Sequence, residues 1–202
     1  MVIIYVLSAR RPPMATGCRA GRHNGGMATH VALLRGINLG KHNRIAMADL
    51  RGAIARLGLE AVSTYIQSGN VLFSTPRTDT TAIAQGISDK IQGEFSINTE
   101  VVVLSRQELA QAVSDNPFPA EHKLVHVIFL SAEADQALKE RIAGLETVKG
   151  AGRDKITATG RAMYLYTPGG YGVSELGKAL ARLPGTARNW GTTIKLLELI
   201  GS

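Results

Sequence analysis

The stretch Val62-Ser63-Thr64-Tyr65-Ile66-Gln67-Ser68-Gly69-Asn70-Val71-Leu72-Phe73-Ser74 decides the fold. Two runs rich in β-branched and aromatic residues flank Ser68-Gly69, where glycine supplies the positive φ that a two-residue hairpin turn requires. Counting outward from that turn sets Gln67 opposite Asn70, Ile66 opposite Val71, Tyr65 opposite Leu72 and Thr64 opposite Phe73. Side chains alternate along a strand, so Thr64, Ile66, Val71 and Phe73 share one face, and Tyr65, Gln67, Asn70 and Leu72 share the other.

Upstream of the hairpin, residues 31–37 form an apolar strand. Met47, Leu50, Ile54 and Leu57 then recur at helical spacing, with Gly58 placed to end the helix. Downstream, Ile83, Ile87 and Ile91 mark a second amphipathic helix and residues 100–104 a further strand. Ser105-Arg106-Gln107-Glu108 is a capping box that opens another helix. Asn116-Pro117-Phe118-Pro119 cannot continue that helix, because proline has no amide donor and restricts the residue before it.

The same succession then restarts. Residues 124–130 read as a strand, and Ser131 is placed to cap a helix carrying Ala134, Leu138 and Ile142. Residues 155–166 form a hairpin turning at Gly160-Arg161, with Ile156, Ala158, Met163 and Leu165 toward the helices. Two closing helices carry Leu176 and Leu180, then Trp190, Ile194 and Leu197.

The fold class is therefore α+β: tandem ferredoxin-like (split β-α-β) halves with antiparallel sheets, helices on one face, and two closing C-terminal helices. The expected organisation is a disordered or upstream tail at 1–26, a first half at 27–116, a Pro-containing linker at 117–123 and a second half at 124–202. Helices on one face leave the other face of each sheet open for binding.

Composition narrows the function. The 202 residues are 45% hydrophobic and 19% charged, within the globular range. No apolar run approaches the ~20 residues that span a bilayer, so no membrane association is expected. A lone cysteine, Cys18, forms no intramolecular disulfide and no zinc pattern, which suits the reducing cytoplasm. The formal charge is +7, but Arg10, Arg11, Arg19 and Arg22, unaccompanied by acids, carry +4 of it and leave only +3 for residues 27 to 202. Nucleic acid is thereby allowed as a partner and not favoured.

The candidate site is built on directed polar groups. Arg35 and Asn38 end the first strand, and Tyr65, Gln67 and Asn70 stand on the hairpin face expected to be open. A guanidinium, carboxamides and a phenol suit recognition of a small anion or a base edge. Equally, Gln67 and Asn70 could merely flank a turn, and Arg35 could join the two halves. The loop Gly40-Lys41-His42-Asn43-Arg44 precedes a helix, where free amides favour anions, although its spacing is not that of a P-loop. Arg188 and Asn189, at the start of the last helix, either extend such a site or cap the helix. No catalytic motif, cofactor motif or metal-ligand pattern is present in the sequence, and His122 and His126 lie too far apart along a strand to share an ion.

Three segments carry a resemblance: Ala32-Leu-Leu-Arg-Gly-Ile-Asn38 with its Gly-Lys loop, Thr64-Tyr-Ile-Gln-Ser-Gly-Asn-Val71, and Ala187-Arg-Asn-Trp190. In this order and spacing the chain resembles, over residues 28 to 200, a bacterial family catalogued as domain of unknown function 1697. The resemblance implies a duplicated ferredoxin-like architecture and a bacterial cytoplasmic origin, and it brings no activity. That family usually has proline where Ala46 stands. The resulting expectation is a binding module for a small anionic ligand held between the halves. The alternatives are nucleic-acid binding through the mildly basic surface, and an enzyme acting on a nucleotide or acyl substrate.

Overall fold

The computed structural model describes residues 27–40, 42–118, 123–146 and 152–201. The expected tail at 1–26, Lys41 and most of the proline-containing joint lie outside these described residues. The first unit runs β1 (His30–Leu34), α1 (Met47–Ala55), β2 (Glu60–Tyr65), β3 (Asn70–Ser74), α2 (Thr80–Phe95), β4 (Val101–Ser105) and α3 (Arg106–Ser114). The second runs β5 (Val125–Phe129), α4 (Gln136–Glu146), β6 (Lys155–Thr159), β7 (Ala162–Tyr166), α5 (Glu175–Leu180), β8 (Thr186–Asn189) and α6 (Trp190–Leu199), with a short 3-10 turn at Tyr171–Val173 before α5.

The strand orders are β2-β3-β1-β4 and β6-β7-β5-β8, and every pairing is antiparallel. These are the same ferredoxin-like path taken twice, so the expected α+β fold of two similar halves is the one observed. Register makes the copy finer than the order alone. His30 lies opposite Ser105 and His126 opposite Asn189, and these two partners are the N-caps of α3 and α6. The strand β8 separates the two closing helices and gives the second unit its own fourth strand.

The elements form for the reasons their patterns suggest. Ile83, Ile87 and Ile91 are all buried on one face of α2, each stabilising by roughly 1.5–3 kcal/mol. Ser105 and Glu108 close the capping box reciprocally. The second hairpin turns at Gly160-Arg161, with Thr159 opposite Ala162. One cap differs: α4 begins at Gln136, and Asp135 rather than Ser131 accepts from the first turn, at the amide of Leu138.

The first hairpin differs in register. Tyr65, not Gln67, lies opposite Asn70, so residues 66–69 form a four-residue turn. Asn70 fixes this geometry, its amide donating to the Tyr65 carbonyl and to Ser68 Oγ. Gly69 is required there, at φ +74°, because an added Cβ would stand 2.8 Å from the Cβ of Leu34. Since the slip is two residues, the strand positions keep the faces expected of them.

The described residues form three apolar clusters. Ala32, Leu34, Val71 and Phe73 pack beneath α1 and α2, and Ile128, Met163 and Leu165 beneath α4 and α5. Between the units, Val31, Leu33, Leu72, Val102 and Leu104 of one sheet share a core with Val127, Phe129 and Tyr164 of the other and with α3 and α6. The sheet faces expected to be open are therefore closed. Strands buried on both sides cost little in polar desolvation only if their residues are apolar throughout, which is why β1 and β4 are nearly unbroken hydrophobic runs.

Ala46 precedes α1 at φ −64° and ψ 137°, is exposed, and caps the helix with no side chain. That backbone is the one proline prefers. Ala46→Pro is expected to stabilise the fold by about 0.4–1 kcal/mol through the unfolded chain, read as a higher urea midpoint at unchanged slope.

Candidate functional site

Where β1 ends, the chain makes a loop whose conformation is held by Asn38. This residue adopts φ +54°, which asparagine tolerates, and its side chain brackets Ile45 by accepting from the amide and donating to the carbonyl. The same carboxamide donates to the Gln67 carbonyl, so the loop is tied to the β2–β3 turn. Against this loop and turn come β5, β8 and α5 of the second unit, and a cleft of about 550 Å³ remains between them.

Arg188 is the centre of this junction. It lies on β8, is 8% exposed, and donates to the side chains of Asn70 and Thr186 and to the carbonyls of Leu34, Ser68, Gly69 and Ala187. All its donors are thereby occupied, yet none of the six acceptors is a carboxylate. Burial pushes its pKa down to about 10, so at neutral pH it remains a cation. An uncompensated charge behind the cleft wall is attractive to anions, because little water screens it.

Arg35 stands on the other side. It pairs with Glu100 at 2.8 Å and donates to the carbonyls of Leu183 and Ala181. Glu100 also accepts from the amide of Gly185, which joins the two units a second time. Gly185 has φ +110°, and a Cβ there would meet the Phe129 carbonyl at 2.5 Å. Arg35 nevertheless has a side chain 34% exposed, and its Nε and one Nη2 hydrogen have no acceptor among the described residues.

The remaining wall is aromatic. His126 stacks on Tyr171 with ring centroids 4.1 Å apart, and both line the cleft with Ser68, Asn189 and Thr192. His126 Nδ1 is buried without a hydrogen-bond partner among the described residues. Burial lowers the His126 pKa, and burial raises that of Tyr171 while the nearby Arg35 charge opposes it.

Of the residues singled out from sequence, Arg35, Arg188 and Asn189 meet at the cleft. Asn189 caps α6 through its side-chain oxygen, accepting from Thr192, as one of the two readings anticipated. Arg188 belongs to strand β8 and not to a helix start. Asn38 and Asn70 sit behind the site, with their amides used to shape it. Gln67 is exposed in the turn and contributes its carbonyl, and Tyr65 packs against the shared core, near Lys195 of α6. Convergence of Tyr65, Gln67 and Asn70 on an open face does not occur, since Tyr65 and Asn70 are covered and Gln67 lies in the turn. Lys41 and His122 lie outside the described residues.

Sequence reasoning missed His126, Tyr171, Leu39 and Ile66 as lining residues. For His126 there was a signal: strand alternation places it with Ile128 and Leu130, so a lone imidazole interrupts a helix-facing apolar row. Tyr171 follows a Pro-Gly-Gly segment whose path is not readable from local pattern.

The chain thus has a duplicated ferredoxin-like α+β architecture, in which two sheets share a core and the loops at one end of it enclose a cleft lined by Arg35 and Arg188. The chain is a member of the family described as protein of unknown function (DUF1697), whose profile matches residues 27–164. In fold it is similar to a conserved bacterial protein from Streptococcus pneumoniae, with a TM-score of 0.68 and 23% identity over 87% of this chain and 99% of that one. No functionally curated protein matches. Among the described residues no helix is long and apolar enough to cross a membrane, and no three His, Cys, Asp or Glu side chains gather in a metal-binding group.

Two outcomes follow from this geometry. Arg188→Lys keeps the charge but leaves several of the carbonyls without a donor, each at about 1–3 kcal/mol, so a loss of several kcal/mol in denaturant melts is expected. For His126, the unfolded ring gains its proton near 6.5 while the folded ring resists, and His30 behaves alike through burial. Stability therefore falls as pH drops through that value, and His126→Phe is expected to flatten the fall in melts compared between about pH 7.5 and 5.5.

Proposed function

We propose that this protein binds a small anionic molecule in the cleft between its two units. The observation that carries the reading is the pair of guanidiniums. Among the described residues Arg188 is a buried cation with no carboxylate partner, and Arg35, which lines the same cleft, keeps two donors free. Arg35 would supply the directed hydrogen bonds and Arg188 the fixed field behind them. The volume suits a small ligand rather than a polymer.

A polyanion is the less favoured reading, because the modest charge of residues 27 to 202 is not concentrated by anything at this cleft beyond the two arginines. Salt distinguishes the two: nucleic-acid affinity falls steeply in proportion to the phosphates neutralised.

The test is calorimetric titration of the full chain with simple carboxylates and organic phosphates. The double variant Arg35→Gln/Glu100→Gln removes both members of the ion pair, so no carboxylate is left orphaned. Binding is expected to weaken at least about tenfold, or ~1.4 kcal/mol, with the circular dichroism spectrum retained. Equal affinity in the variant and the parent would refute the assignment.

A further inference from the structure

The lip of the cleft is apolar where its floor is basic. Leu39, in the loop after β1, is 65% exposed, and Ile66, the first residue of the β2–β3 turn, is 50% exposed. They are two of only four large hydrophobic side chains so exposed among the described residues, and both line the cleft. Ile66 is also in the left-handed region, at φ +50°. A β-branched residue there is strained by about 1–3 kcal/mol, and asparagine or glycine would occupy the position more easily. The strain is not repaid by burial, since half of the side chain stays in water.

We infer that the ligand is amphipathic: a monocarboxylate whose apolar chain or ring lies against Leu39 and Ile66 while its carboxylate meets Arg35. This rests on the anion-binding reading and adds the ligand's chemical class. A single negative charge fits the site better than two, because Glu100 already offsets one of the two guanidiniums. An apolar body accounts for the lip, where two exposed hydrophobic side chains line one polar cleft.

The experiment is a titration of the full chain with acetate, butanoate, hexanoate and octanoate, alongside inorganic phosphate and octan-1-ol. Affinity is expected to rise about two- to fourfold for each methylene that reaches the lip. Octanoate is expected to bind more tightly than either phosphate or the uncharged alcohol. Ile66→Asn relieves the left-handed strain, so the melting temperature is expected to rise by about 2–4 °C while octanoate affinity falls and acetate affinity holds. Leu39→Asn, an exposed position outside the core, is expected to repeat the selective loss without the gain in stability.

Four results would overturn the inference. One is acetate and octanoate binding equally, which leaves the anion reading intact. Others are phosphate binding more tightly than octanoate, and octan-1-ol matching it. The last is an affinity for octanoate unmoved by either lip variant. If none of the anions binds at all, the underlying anion reading fails with it.

Discussion

The arrangement around Arg188 governs how the two units sit together. A guanidinium taken out of water must satisfy five N–H groups, and here they are satisfied by the end of β1, the β2–β3 turn and β8 itself. Each of those segments is constrained in return. Leu34, Ser68 and Gly69 must present carbonyls toward one point, which requires the glycine backbone at Gly69 and the locked turn that Asn70 makes. The loop after β1 follows, because Asn38 ties it to the same turn. Removing the cation would leave not one broken contact but a set of inward-facing polar groups with nothing to meet.

The cleft itself is a product of asymmetry between copies. In the first unit the helix before the last strand is α2, sixteen residues long; its counterpart α5 has six. Both serve the same layer, so the shorter helix leaves uncovered a region that its counterpart covers. A smaller hollow of about 200 Å³ occupies the corresponding place in the first unit, lined by α2, β4 and Arg161. The paired histidines tell the same story. His30 meets Thr29 at 2.7 Å and stacks on Phe73, whereas His126, beside the larger cleft, keeps one nitrogen unpartnered among the described residues.

Most of the fold was legible because its elements obey simple periods. The i+4 isoleucines of α2, the capping box at Ser105 and the Gly160-Arg161 turn are local signals, and each stands where the pattern put it. The β2–β3 turn escaped because its first residue, Ile66, takes a backbone conformation that no propensity argument assigns to isoleucine. The strand β8 escaped because it is four residues long with alternating burial, and its last residue doubles as the cap of α6. As for the site, Arg35 and Arg188 were recognisable as unusual charges, but their nearness spans about 150 positions and depends on how the sheets pack. Tyr65 and Asn70 were misassigned because a strand face looks free until the partner that covers it is known, and Gln67 because the slipped register puts it in the turn.

The junctions described above also fasten the two units to each other. Arg188 grips the first unit from the second at one end of the shared core, and Arg35 grips the second from the first beside it. Toward the opposite end Arg161, from the β6–β7 turn, reaches Glu108, Thr80 and the Val103 carbonyl. A hinge needs a flexible seam with few bonds across it, and this seam is fastened on both sides. Any parting of the two units would therefore have to break polar contacts at both ends of the shared core at once.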